Sequence, residues 1–283
     1  MKDKLFNLLL TLSGVVIIMI AGGILYALTS QSIPAIQEYG LWQFITSAQW
    51  SDKENVFGAL PFITGTLMTS VLALLFCIPF SLSVALFTGE YFRGTKIALV
   101  VGTVVDLLAG IPSIVYGLWG FYTLRPLMIS MGVNDQGMGI LLASLVLAIM
   151  IIPYASSLSS EFISMVQNEL KEGAYSLGAT RLEVIRRVSM PAAGSGILAA
   201  YILAFGRALG ETMAVTMLIG NTKNIPLSLR DTGDTMASLI ANQFGEASDL
   251  KLSSLFAIGF LLFLITALIN LFAKGVIKRV KNK

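Results

Sequence analysis

Long hydrophobic runs separated by shorter polar segments make up most of this chain. Six of these runs approach or exceed the length of about 20 residues that a helix needs to cross the hydrocarbon core of a bilayer. They cover residues 5–29, 62–88, 96–122, 137–158, 195–219 and 253–273. The pattern therefore predicts an all-α membrane protein with six transmembrane helices.

Positive charge falls mainly on one of the two sides that six spans define. Thirteen of the nineteen Lys and Arg residues lie near the chain ends and in the segments after the second and fourth spans, and five lie in the alternate segments. Basic residues concentrate in cytoplasmic loops, so we expect both termini to be cytoplasmic. Lys2 and Lys4 before the first run would also suit a cleaved secretory signal, but a run of about 25 residues favours a retained helix.

The residue content argues against most enzyme chemistry in this chain. The sequence has no His, a single cysteine at Cys77, and only 12% charged residues against 55% hydrophobic ones. A zinc site and a Ser-His-Asp triad both need residues that are missing here. No Gly-rich loop ends in Gly-Lys-Ser/Thr, so any nucleotide hydrolysis would have to occur in a partner. An intramembrane enzyme is disfavoured because no nucleophile and base pair is visible at span depth.

Two long segments, residues 30–61 and 220–252, fall on the predicted outer side. The first contains Trp42, Trp50, Phe57 and Pro61, which favour folded turns at the membrane interface over free linkers. These segments could contact an external partner, or their aromatic residues could simply anchor helix ends at the lipid headgroups.

A polar island, residues 172–191, lies in the loop between the fourth and fifth spans and reads EGAYSLGATRLEVIRRVSMP. Its charged and apolar residues alternate at helical spacing, which predicts amphipathic helices. Gly178 divides the island into two short helices that would meet in an elbow, and Pro191 is expected to stop the elbow before the fifth span. From these properties alone, the island could lie on the bilayer surface or dock onto a partner.

The island resembles the EAA loop of ABC importer permeases. The positions that match are Glu172, Gly173 and Ala174 at the start, Gly178 in the middle, and Val188, Met190 and Pro191 at the end. Gly173 stands where alanine is usual, and Met190 where leucine is usual. The resemblance implies a type I ABC importer fold, in which the elbow is a coupling helix that inserts into a groove of a cytoplasmic ATPase.

Three further segments resemble the PstC-type permeases of phosphate importers: FGALPFITGTLMTS (57–70), AGIPSIVYGLWG (109–120) and GRALGETMAVTMLIGN (206–221). This resemblance implies phosphate as cargo and a bacterial inner-membrane location. The implied partners are a PstA-type second permease, a PstB-type ATPase dimer that holds ATP and Mg, and a PstS-type extracytoplasmic binding protein. It implies neither a cofactor in this chain nor a nucleic acid partner. The alternatives are an importer of molybdate or sulfate and, from another class, a standalone ion channel, which needs no elbow.

In these terms the chain divides into three parts. Residues 1–61 hold the first helix and an outer loop, residues 62–275 hold the importer core with the EAA loop, and residues 276–283 form a basic tail.

Three ionisable residues are predicted at membrane depth. Arg207 and Glu211 are four residues apart in the fifth span and are expected to pair, and Asp106 in the third span could join them. The group could line an anion pathway, or it could be a buried ion-pair network that fixes helix register. Ser113, beside the predicted kink at Pro112, completes the candidate pathway set. One arginine against two carboxylates would suit weak anion binding.

Overall fold

The computed structural model describes the backbone of residues 2–281 and the side chains of residues 6–278. Nearly all of its regular structure is helical, which confirms the all-α prediction. The helices are α1 Lys2–Tyr39, α2 Leu41–Thr46, α3 Leu60–Leu86, α4 Lys96–Ala109, α5 Ser113–Trp119, α6 Arg125–Ser130, α7 Ile140–Ser164, α8 Asn168–Ser176, α9 Arg181–Val184, α10 Met190–Leu209, α11 Met213–Leu218, α12 Met236–Gln243 and α13 Asp249–Lys281. Two short strands, β1 Trp50–Ser51 and β2 Val56–Phe57, pair antiparallel.

Five continuous helical stretches in the described part of the chain are long and apolar enough to cross a membrane. They are Phe6–Tyr39, Leu60–Tyr91, Ile140–Ser164, Arg181–Leu209 and Asp249–Lys278. One further pair, Lys96–Ala109 with Ser113–Ser130, meets the same criteria when taken together. Counting that pair as one span gives the six predicted crossings.

The third span, predicted over 96–122 with a kink at Pro112, is broken into two helices at that kink. The two helices of this pair are bent by 93° at the break between Ala109 and Ser113. Proline lacks an N–H group and disfavours helical geometry in the residue before it, so a helix does not continue smoothly through Pro112. The second helix of the pair runs on through a π-helical turn, Gly120–Leu124, to Ser130.

The prediction that Pro191 stops the elbow is wrong. The helix that starts at Arg181 continues without a break to Leu209. Pro191 lies in the first turn of α10, directly after a π-helical turn at Ile185–Ser189. The altered hydrogen bonding of such a turn allows a proline to follow it within a continuous helix.

The fifth span ends earlier than the predicted residue 219. Helix α10 ends at Leu209, residues 210–212 are not helical, and α11 follows from Met213. Gly210 at this point is a poor helix former. The fifth and third spans are therefore both interrupted.

Helices α3 and α7 form the centre of the molecule. Their shared core includes Ala73 and Cys77 from α3 and Val146, Leu147 and Ile151 from α7, all buried. Helix α10 packs against the same pair, and α1 lies along α13. Most side chains of α1 are apolar and exposed, as expected of a helix that faces lipid.

The predicted outer turns are folded against the helices. Trp50 and Phe57 are buried in a second core with Phe62, and the Trp50 indole N–H donates to Gln243 at 3.1 Å. Asp52 pairs with Lys223 at 3.2 Å and with Lys251 at 2.9 Å. Trp42, in contrast, is exposed.

The predicted basic tail is continuous with the last helix, because α13 extends to Lys281. The side chains of Lys2, Lys4, Arg279, Lys281 and Lys283, on which part of the charge argument rests, lie outside the described residues.

Candidate transport and coupling sites

The elbow predicted for residues 172–191 is present. Helix α8 ends at Ser176, and Gly178 turns the chain with φ +86°, a value that side chains other than glycine disfavour. Helix α9 then begins with a capping box, in which the Thr180 N–H donates to the Glu183 carboxylate at 2.9 Å. The predicted bend at Gly178 and the short first helix are confirmed, but the second helix is not short, because it is the start of the helix that runs on to Leu209.

The tip of the elbow holds an apolar side chain out into solvent. Leu177 is 90% exposed, and Glu172 and Gly173 are exposed on α8. A cavity of about 300 Å³ lies between the two arms, lined by Ala174, Leu177, Gly178, Ala179, Glu183, Val184, Arg187 and Val188. Pro191 lies beyond this region, in α10. An apolar side chain held out in this way suits a docking surface.

Two further contacts hold the elbow against the end of the α3 stretch, Leu60–Tyr91, in which a π-helical turn at Phe87–Tyr91 continues α3. The Lys171 ammonium lies 2.5 Å from the Glu90 carboxylate, and both side chains are almost fully buried. The Arg181 guanidinium donates to the Tyr91 carbonyl and lies 3.8 Å from the centre of the Tyr91 ring. Glu90 and Tyr91 are not among the predicted site residues, because nothing in the local sequence pattern links them to the elbow.

The predicted pairing of Arg207 with Glu211 is wrong. Arg207 is exposed in the last turn of α10, whereas Glu211 lies after that helix has ended. The four-residue spacing therefore does not place them on one helical face. The Glu211 carboxylate instead accepts a long hydrogen bond from the Ala214 N–H at 3.4 Å, one of the free donors at the start of α11. Among the described side chains, no ion pair joins Arg207 to Glu211 or Asp106.

Asp106 occupies a different place. It is exposed on α4 and lines a small cavity of about 120 Å³ with Thr88, Ser156, Ser157 and Ser160. Ser113 is half-buried at the first position of α5, just after the break in the third span. The predicted network of three charges is therefore not assembled.

The interruptions in the third and fifth spans are followed by helices that pack together. A Cβ atom on Gly117 of α5 would lie 3.1 Å from the Ala214 Cα of α11. The Tyr116 hydroxyl donates to the Leu108 carbonyl at 2.9 Å and so satisfies a backbone group near the end of α4. Non-helical backbone at membrane depth needs protein or a water-filled cavity around it, and broken helices of this kind form substrate sites in transporters.

Comparison with known proteins decides the family. The model of a family described as "Binding-protein-dependent transport system inner membrane component" matches residues 78–282. The phosphate transport system permease protein PstC of Mesorhizobium japonicum is 39% identical, with 99% of this chain and 91% of that protein covered. The PstC protein of Haemophilus influenzae is 35% identical, with 99% and 94% covered. This chain belongs to the PstC family of transport permeases.

Solved structures show the fold of this PstC-family chain. A chain of a bacterial alginate ABC transporter, crystallised with an alginate pentasaccharide-bound periplasmic protein, aligns with a TM-score of 0.70 over 99% of this chain and 97% of its own, at 20% identity. A chain of the inward-facing MetNI methionine ABC transporter aligns with a TM-score of 0.63 over 82% and 99%, at 17% identity. The predicted type I ABC importer fold is confirmed, and the PstC-family chain is a multi-pass membrane permease subunit.

Proposed function

We propose that this chain is the permease subunit of an ATP-driven inorganic phosphate importer in the bacterial plasma membrane, where it forms one half of the translocation pathway. The observation that carries this proposal is the likeness to PstC phosphate permeases over 99% of the chain. The broken spans and the exposed elbow support it, since a permease needs both a pathway and a surface on which an ATPase can act.

The proposed partners follow from the same family. They are a PstA-type second permease, a PstB-type ATPase dimer that binds ATP and Mg, and a PstS-type phosphate-binding protein outside the membrane. The family description itself refers to a binding-protein-dependent system. The excess of basic residues at the chain ends and at the elbow supports an orientation with both termini and the elbow in the cytoplasm.

The proposed coupling surface is the elbow, with Glu172, Gly173, Ala174 and Gly178 at its centre and Pro191 in the helix that leads away from it. ATP binding closes the ATPase dimer, and the movement of its grooves displaces the elbow. The displaced elbow moves α10, with which it is continuous, and the helices around Arg207 open outward to receive anion from the docked binding protein.

The proposed pathway runs beside the paired breaks, where Arg207, Ser113 and Glu211 are located. No carboxylate neutralises the Arg207 guanidinium among the described residues, so it is available to attract an oxyanion. Glu211 and, farther along the third span, Asp106 keep the local charge from becoming strongly positive. Weak binding of this kind suits a path that must release its anion.

Uptake competition in whole cells tests the cargo. Cells that lack their own high-affinity phosphate uptake would express this chain with its partners, and uptake of labelled phosphate would be measured with excess unlabelled phosphate, sulfate or molybdate. We expect only phosphate to compete. Stronger suppression of labelled phosphate uptake by sulfate or molybdate than by unlabelled phosphate would reassign the cargo, and ATP-independent uptake by the chain alone would favour a channel.

A further inference from the structure

Both arms of the elbow are tied to two adjacent residues at the end of the α3 stretch. Lys171, on the first arm, pairs with Glu90 at 2.5 Å. Arg181, which opens the second arm, donates to the Tyr91 carbonyl and stacks on the Tyr91 ring at 3.8 Å. Gly178 lies between the two attachment points.

The Lys171–Glu90 pair is shielded from water. The two side chains are only 10% and 6% exposed. A buried charge is costly unless it is paired, so each of these residues depends strongly on the other. The pair is therefore unlike the other charges of the elbow, of which Glu172, Arg186 and Arg187 are exposed.

The π-helical turn that carries Glu90 and Tyr91 is itself held against α7 by two contacts. The Thr88 hydroxyl shares a hydrogen bond of 2.8 Å with the Ser160 hydroxyl. Gly89 lies so close to α7 that an added Cβ would be 2.7 Å from the Ser160 carbonyl oxygen. A short segment, residues 92–95, then leads from this turn directly into α4, which carries Asp106.

A hinge at Gly178 alone would let the two arms change their angle and absorb a push on the tip. Fastening each arm separately to the Glu90–Tyr91 turn removes that freedom. A displacement of the elbow then reaches α3 and α4 through these side chains, in addition to α10 through the continuous helix.

We propose that the Lys171–Glu90 ion pair and the Arg181–Tyr91 contact form a clamp that makes the elbow and the end of the α3 stretch move as one body. These four are positioning residues, because they act on the pathway through the helices they join. The inference rests on the proposed coupling role of the elbow and adds a second route by which ATPase motion reaches the pathway.

Charge exchange tests the clamp. The complex of this chain with its second permease, ATPase and binding protein would be reconstituted in proteoliposomes, and phosphate uptake per ATP hydrolysed would be measured. Lys171→Glu and Glu90→Lys each place like charges together, and we expect each to lower this ratio by about fivefold or more while the ATPase subunits stay bound. The double variant restores the pair in reverse, and we expect it to recover most of the ratio. Lys96→Glu, an exposed charge reversal at the start of α4, is the matched control.

A neutral double variant, Lys171→Met with Glu90→Gln, guards against failure to fold, because it leaves no unpaired buried charge. It is expected to assemble and to show the reduced ratio. The clamp is overturned if this variant or the single variants keep the wild-type ratio, or if the charge-exchanged double variant recovers none of it. If the wild-type complex itself imports no phosphate, the proposed function fails instead, so the two failures are distinguishable.

Discussion

Arg207 is the side chain on which the proposed pathway depends most. The sequence predicted a partner for it, but the structure leaves its guanidinium exposed at the end of α10, beside the break in the fifth span. A charge at this depth is costly in lipid, so it is expected to face either water or another subunit. Both surroundings fit a pathway formed between two permeases.

Replacing Arg207 with Gln is expected to lower phosphate uptake by at least about tenfold, because a charge-assisted hydrogen bond to the anion is lost. Binding of the ATPase should be unaffected, since Arg207 is not part of the elbow. Uptake of labelled phosphate and co-purification of the ATPase would be measured together, with Arg93→Gln, an exposed change in the 92–95 segment, as control. Wild-type uptake by the Arg207 variant would exclude Arg207 from the pathway.

Asp234 is a buried carboxyl group whose titration is expected to make the stability of the protein depend on pH. It is 3% exposed, and its carboxylate accepts from the Thr235 N–H at 2.8 Å. Burial raises the pKa of Asp234 to about 6, although the hydrogen bond from the Thr235 N–H partly opposes the shift. The Asp234 carboxyl group therefore binds its proton more tightly in the folded state than in the unfolded state. The free energy of unfolding should fall as the pH rises from about 4 to about 6 and should lose this dependence above that.

The variant Asp234→Asn keeps the acceptor and removes the buried charge. It is expected to raise the free energy of unfolding near pH 7.5 by up to about 3 kcal/mol and to change little near pH 4. Thermal unfolding of the purified protein in detergent, recorded across this range, would measure the effect. Asp135→Asn, which removes an exposed carboxylate, is the control. A less stable Asp234→Asn protein near pH 7.5 would show that the charged form is the favoured one.

At the scale of helices, the sequence predicts which segments are apolar better than it predicts where they break. Residues on both sides of Pro112 are similarly apolar, so the hydrophobic pattern continues through the interruption in the third span. Pro112 is a strong local sign of a kink, whereas Gly210 is a weaker one, because glycine disfavours a helix without excluding it. The Glu90 to Lys171 contact is a further case, because it joins residues 81 positions apart.

The elbow was predictable because a single local property determines its shape. Gly178 has a φ of +86°, which costs a residue with a side chain about 1–2 kcal/mol. Gly178→Ala is therefore expected to distort the elbow and to reduce both ATPase co-purification and phosphate uptake. Gly275→Ala, in the regular helix α13 with open space around it, should change neither. Full co-purification and uptake with Gly178→Ala would show that the elbow does not require this conformation.

At the scale of the whole molecule, the fold is supported by solved structures, whereas the proposed cargo is supported by sequence relatives. The alginate and methionine transporters share this fold at 20% and 17% identity, so the fold alone does not identify what is carried. The choice of phosphate follows from the PstC likeness, which the segment at residues 206–221 had already indicated. In the structure, residues 206–221 cover the end of α10, the non-helical residues 210–212 and all of α11, so this segment lies at the proposed pathway.

Two exposed leucines allow the elbow and the predicted outer loop to be tested separately. Leu177 at the elbow tip is 90% exposed, and Leu227 in the predicted outer loop is 88% exposed. An aspartate at either position changes surface chemistry with little effect on the core. The proposed orientation places the ATPase against Leu177 alone.

ATP-driven phosphate uptake by the reconstituted four-component complex tests the central claim most directly, with the wild-type chain compared with Leu177→Asp and Leu227→Asp. We predict that the wild-type complex accumulates labelled phosphate only when ATP is supplied. Leu177→Asp should lose both the ATPase and uptake, and Leu227→Asp should keep its ATPase bound. Absence of ATP-dependent phosphate uptake by the wild-type complex, or uptake that is unchanged by Leu177→Asp, would contradict the account.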